Sequence, residues 1–202
     1  MGRAVSRISP GIAMQTIGSL SGALANHGNS QYGRLFQRFY NKKRIFLEIF
    51  LELRNRYAHG ALQDDKNYSE IINKNMDYLI DILQGLNFLI QLLLVRADNL
   101  RFIEDKYLHQ VRLCMGDNYN FSRTEIALHF PLECDKFYLL KEDYALLLHP
   151  LIIEQRCQMC GQQEIFLYNR IEQNNVSYLS YRCGHQFETA QYTQEIIELL
   201  GI

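Results

Sequence analysis

The sequence of 202 residues has the composition of an ordinary soluble globular protein, although it contains 13 Tyr and no Trp. Its formal net charge is -1, but residues 1–98 hold 12 Lys and Arg against 8 Asp and Glu, and residues 99–202 hold 9 against 14. This division suits a protein with one nucleic-acid-binding face, and it equally suits two ordinary solvated surfaces. Five cysteines, an odd number, fit a reducing cytoplasm better than a disulfide scaffold.

Targeting and membrane-spanning signals are not evident in the sequence. Residues 1–11 lack the apolar core of a secretion signal. The most apolar stretch, 79–95, is interrupted by four polar side chains, which are Asp81, Gln84, Asn87 and Gln91. These interruptions argue against a membrane span and predict a buried helix instead. We therefore expect a cytoplasmic protein with no membrane partner.

The front half of the chain is predicted to be helical. A serine N-cap followed by proline predicts a first helix over 9–26. Apolar residues then recur with helical spacing over 32–59, and Gly60 is well placed to end that helix. A third helix is predicted over 68–96, after a capping box. Because a short polar connection joins the last two helices, they should lie antiparallel, and we expect an antiparallel helical bundle over residues 1–98.

After residue 98 the pattern changes to short segments rich in β-forming residues and separated by turn signals. The predicted strands cover 107–114, 123–130, 137–140, 144–153, 163–171 and 176–183, and a last helix covers 190–200. The predicted fold class is therefore α+β. An N-terminal antiparallel helical bundle (residues 1–98) is followed by a small antiparallel β domain (residues 99–202).

A group of chemically useful side chains lies where the second predicted helix ends. Arg54 and Asn55 are followed, after three residues, by His59 and Gly60. Arginine is a permanent cation that fits phosphate oxygens, and histidine can take and give a proton near neutral pH. This R-N-x3-H pattern, between two long helices, resembles the signature of HEPN domains. Proteins of that family are all-helical, and many are metal-independent ribonucleases.

The resemblance implies an endoribonuclease that needs no metal and lets the RNA 2′-hydroxyl attack the neighbouring phosphorus. His59 would act as general base or acid, Arg54 would stabilise charge on the phosphoryl oxygens, and Asn55 would position a phosphate or His59. On one straight helix, five steps of about 100° place Arg54 and His59 roughly 140° apart. The resemblance also implies a homodimer, and a cleft shared by two copies would remove this conflict.

A basic tract upstream of the motif could hold the RNA backbone. The residues predicted to contact RNA, by charge or by stacking on a base, are Arg34, Arg38, Lys42, Lys43, Arg44, Arg56 and Tyr57. The alternative is structural. A basic tract on a helix is usually a solvated face, and His59 would interact favourably with the helix dipole without any catalytic role.

The C-terminal part contains a candidate zinc site. Cys157 and Cys160 are two residues apart and precede a glycine, and 22 residues separate Cys160 from the pair Cys183 and His185. This order of knuckle, hairpin and knuckle resembles a zinc ribbon, although a ribbon usually has C-x2-C where this chain has C-x-H. A complete four-ligand shell leaves no open position, so we expect structural zinc. The alternatives are a degenerate ribbon with buried free thiols and a redox-active pair.

Two functions follow from these features. The first is an endoribonuclease of the HEPN type, which by resemblance would be a toxin or an antiviral defence effector under a protein regulator or within a larger assembly. The second is a non-catalytic dimerisation or interaction module whose zinc-ribbon-like segment, 146–188, docks a partner protein. DNA binding through the cysteine-rich end is disfavoured by the acidic balance of residues 99–202.

Overall fold

The computed structural model of the chain describes residues 31–58, 68–114, 121–142 and 144–200. The chain divides into two compact units, and the division falls between Ile90 and Gln91. We call the described residues before it the helical unit and those after it the β unit. The helix predicted over 9–26 lies outside the described residues, as do His59 and Gly60.

The helical unit contains a pair of helices and a short 3-10 segment. These elements are α1 (Gln31–Ala58), α2 (Tyr68–Gly85) and the 3-10 helix Asn87–Gln91. Phe46 stacks on Tyr78 with the ring centroids 4.8 Å apart, and Lys43 forms an ion pair with Asp81. Because the earlier residue of α1 meets the later residue of α2, the two helices run antiparallel.

The predicted fold class, α+β with an N-terminal helical bundle, is wrong. The architecture is mainly β, with two antiparallel sheets, and the described N-terminal residues form only the pair α1 and α2. The helix predicted over 68–96 ends at Gly85, and the apolar run continues into a strand. An apolar run fits a buried strand as well as a buried helix, so periodicity alone could not place this boundary. Leu83 and Ile90 are moreover exposed.

The β unit contains, among its described residues, nine strands and a short helix. They are β1 (Leu93–Ile103), β2 (Lys106–Leu113), β3 (Ser122–Leu128), β4 (Phe137–Lys141), β5 (Tyr144–Leu147), β6 (Ile152–Arg156), β7 (Gln163–Glu172), β8 (Asn175–Ser180), β9 (Gln186–Thr189) and α3 (Thr193–Leu200). One antiparallel sheet has the order β3-β2-β1-β4-β5, and the other is the meander β6-β7-β8-β9.

Two sequence boundaries differ from this arrangement. The single strand predicted over 144–153 is two strands, β5 and β6, because Pro150 lies between them and has no N–H to donate to a ladder. The second domain was predicted to begin at residue 99, and Asn99 lies inside β1.

The five-stranded sheet buries one apolar face. The residues of this core are Val95, Ala97, Val111, Leu128, Leu132, Tyr138 and Leu140. Val95 and Ala97 are two positions apart on β1, as the alternation of a half-buried strand requires.

The four-stranded sheet has a separate apolar core. Phe166, Val176 and Tyr178 are almost fully buried, and Ile196 of α3 is buried as well. The Tyr178 hydroxyl donates a hydrogen bond of 2.8 Å to the carbonyl oxygen of Pro150.

Charged side chains join the two sheets of the β unit. Arg112 of β2 donates two hydrogen bonds to Glu154 of β6, at 3.0 and 2.7 Å. The Nε atom of Arg96 on β1 lies 2.7 Å from the same carboxylate. Asp98 accepts from both arginines, and Asp135 accepts from Arg96 at 2.5 Å. Each arginine thus faces a carboxylate, and the network is a structural link between the sheets.

Candidate metal centre

The meander brings two turns to the same end of the four-stranded sheet. The chain reverses at every strand of an antiparallel meander, so its first and third connections share one end. The β6–β7 turn carries Cys157 and Cys160, and the β8–β9 turn carries Cys183 and His185. Sheet topology therefore gathers four side chains that are up to 28 positions apart in sequence.

The four side chains lie close enough together for one metal ion to bind them all. One ligand atom from each residue lies within 4.8 Å of all the others. The Sγ atom of Cys157 is 3.9 Å from the Sγ atom of Cys183 and 3.4 Å from Nδ1 of His185. A tetrahedral zinc ion with Zn–S bonds of about 2.3 Å would hold two sulfur atoms about 3.8 Å apart. The four predicted ligands therefore form a cluster that could hold a metal ion.

Cys157, the most buried of the four side chains, has a thiol with a lowered pKa. Burial of Cys157 opposes ionisation, but backbone N–H groups of Cys160 and Met159, together with the His185 ring, lower its pKa to about 6. The thiolate is the form that binds metals. Cys160 is exposed, and Cys183 and His185 are half-buried. The cluster thus opens toward solvent on one side and is anchored by a buried sulfur on the other.

The first turn owes its shape to backbone hydrogen bonds and a glycine. The N–H of Cys157 donates to the carbonyl of Gln162 at 2.7 Å, and the N–H of Gly161 donates to the carbonyl of Cys157 at 2.8 Å. Gly161 has a φ of 72°, a left-handed conformation that glycine adopts without steric cost. Arg156 donates from Nε to the Gly161 carbonyl at 2.8 Å. These bonds hold Cys157 and Cys160 on the same side of the turn.

Two further residues support the second turn, and the sequence analysis did not identify them. The backbone N–H of Cys183 donates to Ser180 Oγ at 3.1 Å, and Ser180 Oγ donates to Oε2 of the buried Glu164 at 2.9 Å. The other oxygen of Glu164 makes no hydrogen bond within the described part of the chain. A signal for Ser180 existed in the sequence, because S-x-x-C-G at residues 180–184 repeats the spacing of C-x-x-C-G at residues 157–161.

The side chains of the predicted ribonuclease residues lie outside the part of the chain that the structure describes. Arg54, Asn55, Arg56 and Tyr57 lie at the C-terminal end of α1, and His59 is outside the described residues. The catalytic role of Arg54, Asn55 and His59 stays a prediction.

The predicted basic tract separates into two groups. Lys43 pairs with Asp81, and Arg44 pairs with Glu48 at 2.8 Å. Arg34, Arg38 and Lys42 are exposed, line one cleft along α1, and have no acidic partner among the described residues. Their spacing of four residues places all three on one helix face. The sequence could not separate the two groups, because the pairing with Asp81 depends on how α1 packs against α2.

Comparison with known proteins gives no family or relative for this chain: no family model, no curated protein and no solved structure matches it. Within the described residues, none of the helices is long and apolar enough to cross a membrane.

Proposed function

We propose that the chain is a non-catalytic interaction module whose β unit is held by a structural zinc ion. The observation that carries this proposal is the closed ligand set of Cys157, Cys160, Cys183 and His185, with its ligand atoms within 4.8 Å of one another. Four protein ligands complete a tetrahedral shell and leave no position for a substrate or an activated water. A closed shell of this kind stabilises structure and does not catalyse.

The donor set selects zinc over the hard cations. Three thiolates and an imidazole suit soft or borderline metals in tetrahedral geometry, whereas calcium and magnesium prefer oxygen ligands. The metal would join the β6–β7 turn to the β8–β9 turn and so close the end of the meander. Metal binding of this type contributes directly to folding free energy, because the unfolded chain has no preformed site.

Two exposed cysteines allow a matched test. Cys160→Ser removes a proposed ligand, and Cys134→Ser removes an exposed cysteine outside the cluster. The wild type and Cys134→Ser should each bind one zinc ion per chain, measured by elemental analysis after gel filtration. Cys160→Ser should bind zinc more than 10-fold more weakly. Loss of a residue that only supports a ligand lowers metal affinity by roughly 10–100-fold, and loss of a direct ligand should cost at least as much. Equal zinc affinity in the two variants would refute the site.

A second candidate function, RNA binding and cleavage, is favoured by the unpaired cations of α1. Like charges four residues apart destabilise a helix, so Arg34, Arg38 and Lys42 carry a cost that a bound polyanion would offset. The RNA backbone supplies regularly spaced phosphates of this kind. In this proposal Arg54 and Asn55 bind the scissile phosphate, and His59 moves the proton, in a cleft completed by a second copy of the chain.

The RNA proposal is tested by two variants and their controls. Metal-independent cleavage of a mixed RNA substrate in EDTA, present in the wild type and lost in His59→Ala, would support the enzyme. Arg38→Ala should weaken RNA binding and reduce its salt dependence by about one counterion, whereas Arg44→Ala, whose charge is already paired with Glu48, should change both less. Absence of RNA binding by the wild type at low salt would leave the interaction module as the function.

A further inference from the structure

The two turns at the metal cluster have the same backbone construction. The N–H of Cys157 donates to the carbonyl five residues ahead, at 2.7 Å, and the N–H of Ser180 donates to the carbonyl of His185, also five residues ahead, at 2.9 Å. The residue four positions after each donor is a glycine with left-handed φ, 72° at Gly161 and 67° at Gly184. Residue 180 therefore corresponds to residue 157, and Cys183 corresponds to Cys160.

The side chains at these corresponding positions accept the same hydrogen bond. The N–H of Cys160 donates to the side chain of Cys157, three residues before it. The N–H of Cys183 donates to Ser180 Oγ, again three residues before it, at 3.1 Å. Ser180 Oγ is also 3.1 Å from Cys183 Sγ, so the side chain at 180 faces the ligand cluster.

We infer that residue 180 is the fourth ligand position of this zinc site, occupied here by a serine, and that His185 supplies the ligand that the serine does not. The inference rests on the proposed zinc site and deepens it. A serine hydroxyl is not among the ordinary protein ligands of structural zinc. In this chain the Ser180 hydroxyl instead donates to Glu164 at 2.9 Å and accepts from the Cys183 N–H. Ser180 is accordingly a positioning residue for Cys183.

The position of His185 explains the unusual C-x-H spacing. Its carbonyl closes the turn by accepting the Ser180 N–H, and its Nδ1 lies 3.4 Å from Cys157 Sγ. The imidazole therefore reaches the cluster from the last residue of the turn, across from Cys157. The longer side chain of His185 at the end of the turn replaces the shorter one at its start.

A rescue experiment tests this correspondence in the full chain. His185→Ala should weaken zinc binding by more than the roughly 10–100-fold that loss of an outer-shell partner costs. Ser180→Cys in the His185→Ala background should restore the affinity, because it completes a four-thiolate set. Ser177→Cys in the same background is the matched control, since Ser177 is a buried serine of the same strand outside the cluster.

Cobalt provides a readout that does not depend on affinity. The sulfur-to-cobalt charge-transfer absorption grows with the number of bound thiolates, so the rescued variant should exceed the wild type by about one third. If the double variant folds poorly, Ser180→Cys alone can be measured in its place, and its cobalt absorption should exceed that of the wild type by the same amount.

The outcomes separate the inference from the proposed function. If the wild type binds one zinc ion and Ser180→Cys rescues no better than Ser177→Cys, position 180 is not a ligand position and the inference is overturned, while the zinc site stands. A wild-type chain that binds no zinc would overturn both.

Discussion

His109 lies on β2 of the five-stranded sheet, its side chain is fully buried, and its surroundings favour the neutral form. Its Nε2 atom lies 3.3 Å from the carbonyl oxygen of Phe130 and 3.4 Å from the backbone nitrogen of Leu132. The Nδ1 atom is buried and has no hydrogen-bond partner among the residues that the structure describes. Burial lowers the pKa of His109, and the hydrogen bond to Phe130 offsets only part of that effect.

This burial predicts a loss of stability in mild acid. The unfolded chain binds the proton at the ordinary histidine pKa of about 6.5, whereas the folded chain binds it only at lower pH. Stability is therefore highest above pH 6.5 and falls as the pH drops toward the folded pKa, by up to about 1.4 kcal/mol per pH unit. In urea titrations between pH 7 and 5, His109→Gln should flatten this slope.

The exposed His129 is the control for that experiment. His129→Gln should leave the slope of the wild type unchanged, because this ring is exposed to solvent in the folded chain as well. Carboxylates titrate in all three proteins, so only the difference between variants is informative. Equal slopes in the wild type and in His109→Gln would contradict the prediction.

At the level of single residues, the sequence located the candidate metal ligands better than the residues that support them. Cys157, Cys160, Cys183 and His185 were predictable because short local spacings carry the signal of a metal knuckle. Glu164 lies on a different strand from Ser180, so their hydrogen bond depends on the register of β7 against β8 and has no local signature.

Two tight hairpin turns hold non-glycine residues in the left-handed backbone conformation, which is strained for most side chains. Glu104 and Asp105 between β1 and β2 have φ values of 49° and 62°, and Gln173 and Asn174 between β7 and β8 have 48° and 73°. Positive φ at both central residues is the type I′ arrangement, which favours Asn-Gly. The first turn therefore uses residues that tolerate this conformation less well than Asn-Gly would.

Replacing the first turn should stabilise the β unit. The double change Glu104→Asn and Asp105→Gly should raise the free energy of unfolding by about 1 kcal/mol, because the left-handed conformation costs most side chains roughly that amount. Thermal denaturation of the full chain would measure this change. Glu104→Pro should have the opposite effect, since proline fixes φ near −65°. A lower midpoint for the double variant would show that the native turn is not strained.

At the level of elements, prediction succeeded where local signals agreed and failed where they did not. The hairpin of β7 and β8 was predictable, because β-forming segments flank a polar turn at residues 173–175. The boundary between α2 and β1 was not, because the apolar run from 79 to 95 continues through both elements.

The two sheets of the β unit are linked by charges that are largely removed from solvent. The Glu154 side chain is 9% exposed, and it faces the Arg112 and Arg96 side chains at 21% and 13%. Hydrogen bonds to Glu154 raise the pKa of Arg112 even though burial opposes it. No local pattern predicts this network, since Arg112 and Glu154 are 42 positions apart.

Removing the shared carboxylate should strongly destabilise the β unit. Glu154→Gln leaves two partly buried arginines with Asp98, and for Arg96 also the exposed Asp135, to compensate them. We expect a loss of about 3 kcal/mol, at the low end for a broken buried pair. Glu125→Gln breaks the exposed pair with Arg101, 2.6 Å long, and should cost less than about 1 kcal/mol. Chemical denaturation of both variants would measure the contrast, and equal losses would contradict it.

For the whole molecule, metal removal should act on one unit and not on the other. The proposed ligands all lie in the β unit, and the described helices α1 and α2 contribute none. Zinc at about 1,000 times its Kd would stabilise the folded β unit by roughly 4 kcal/mol, and a chelator would remove that contribution. EDTA should therefore lower the Tm of the β unit and expose the turns at 157–161 and 180–185 to protease.

The helical circular dichroism signal from α1 and α2 should persist over the temperature range in which the chelated β unit melts. Cys160→Ser should melt at a temperature between those of the chelated and the zinc-bound wild type and should respond less to EDTA, because its weaker site retains less of the metal's contribution. A wild-type chain whose melting temperature does not change with EDTA would show that the sheet core around Tyr178 holds the unit without a metal.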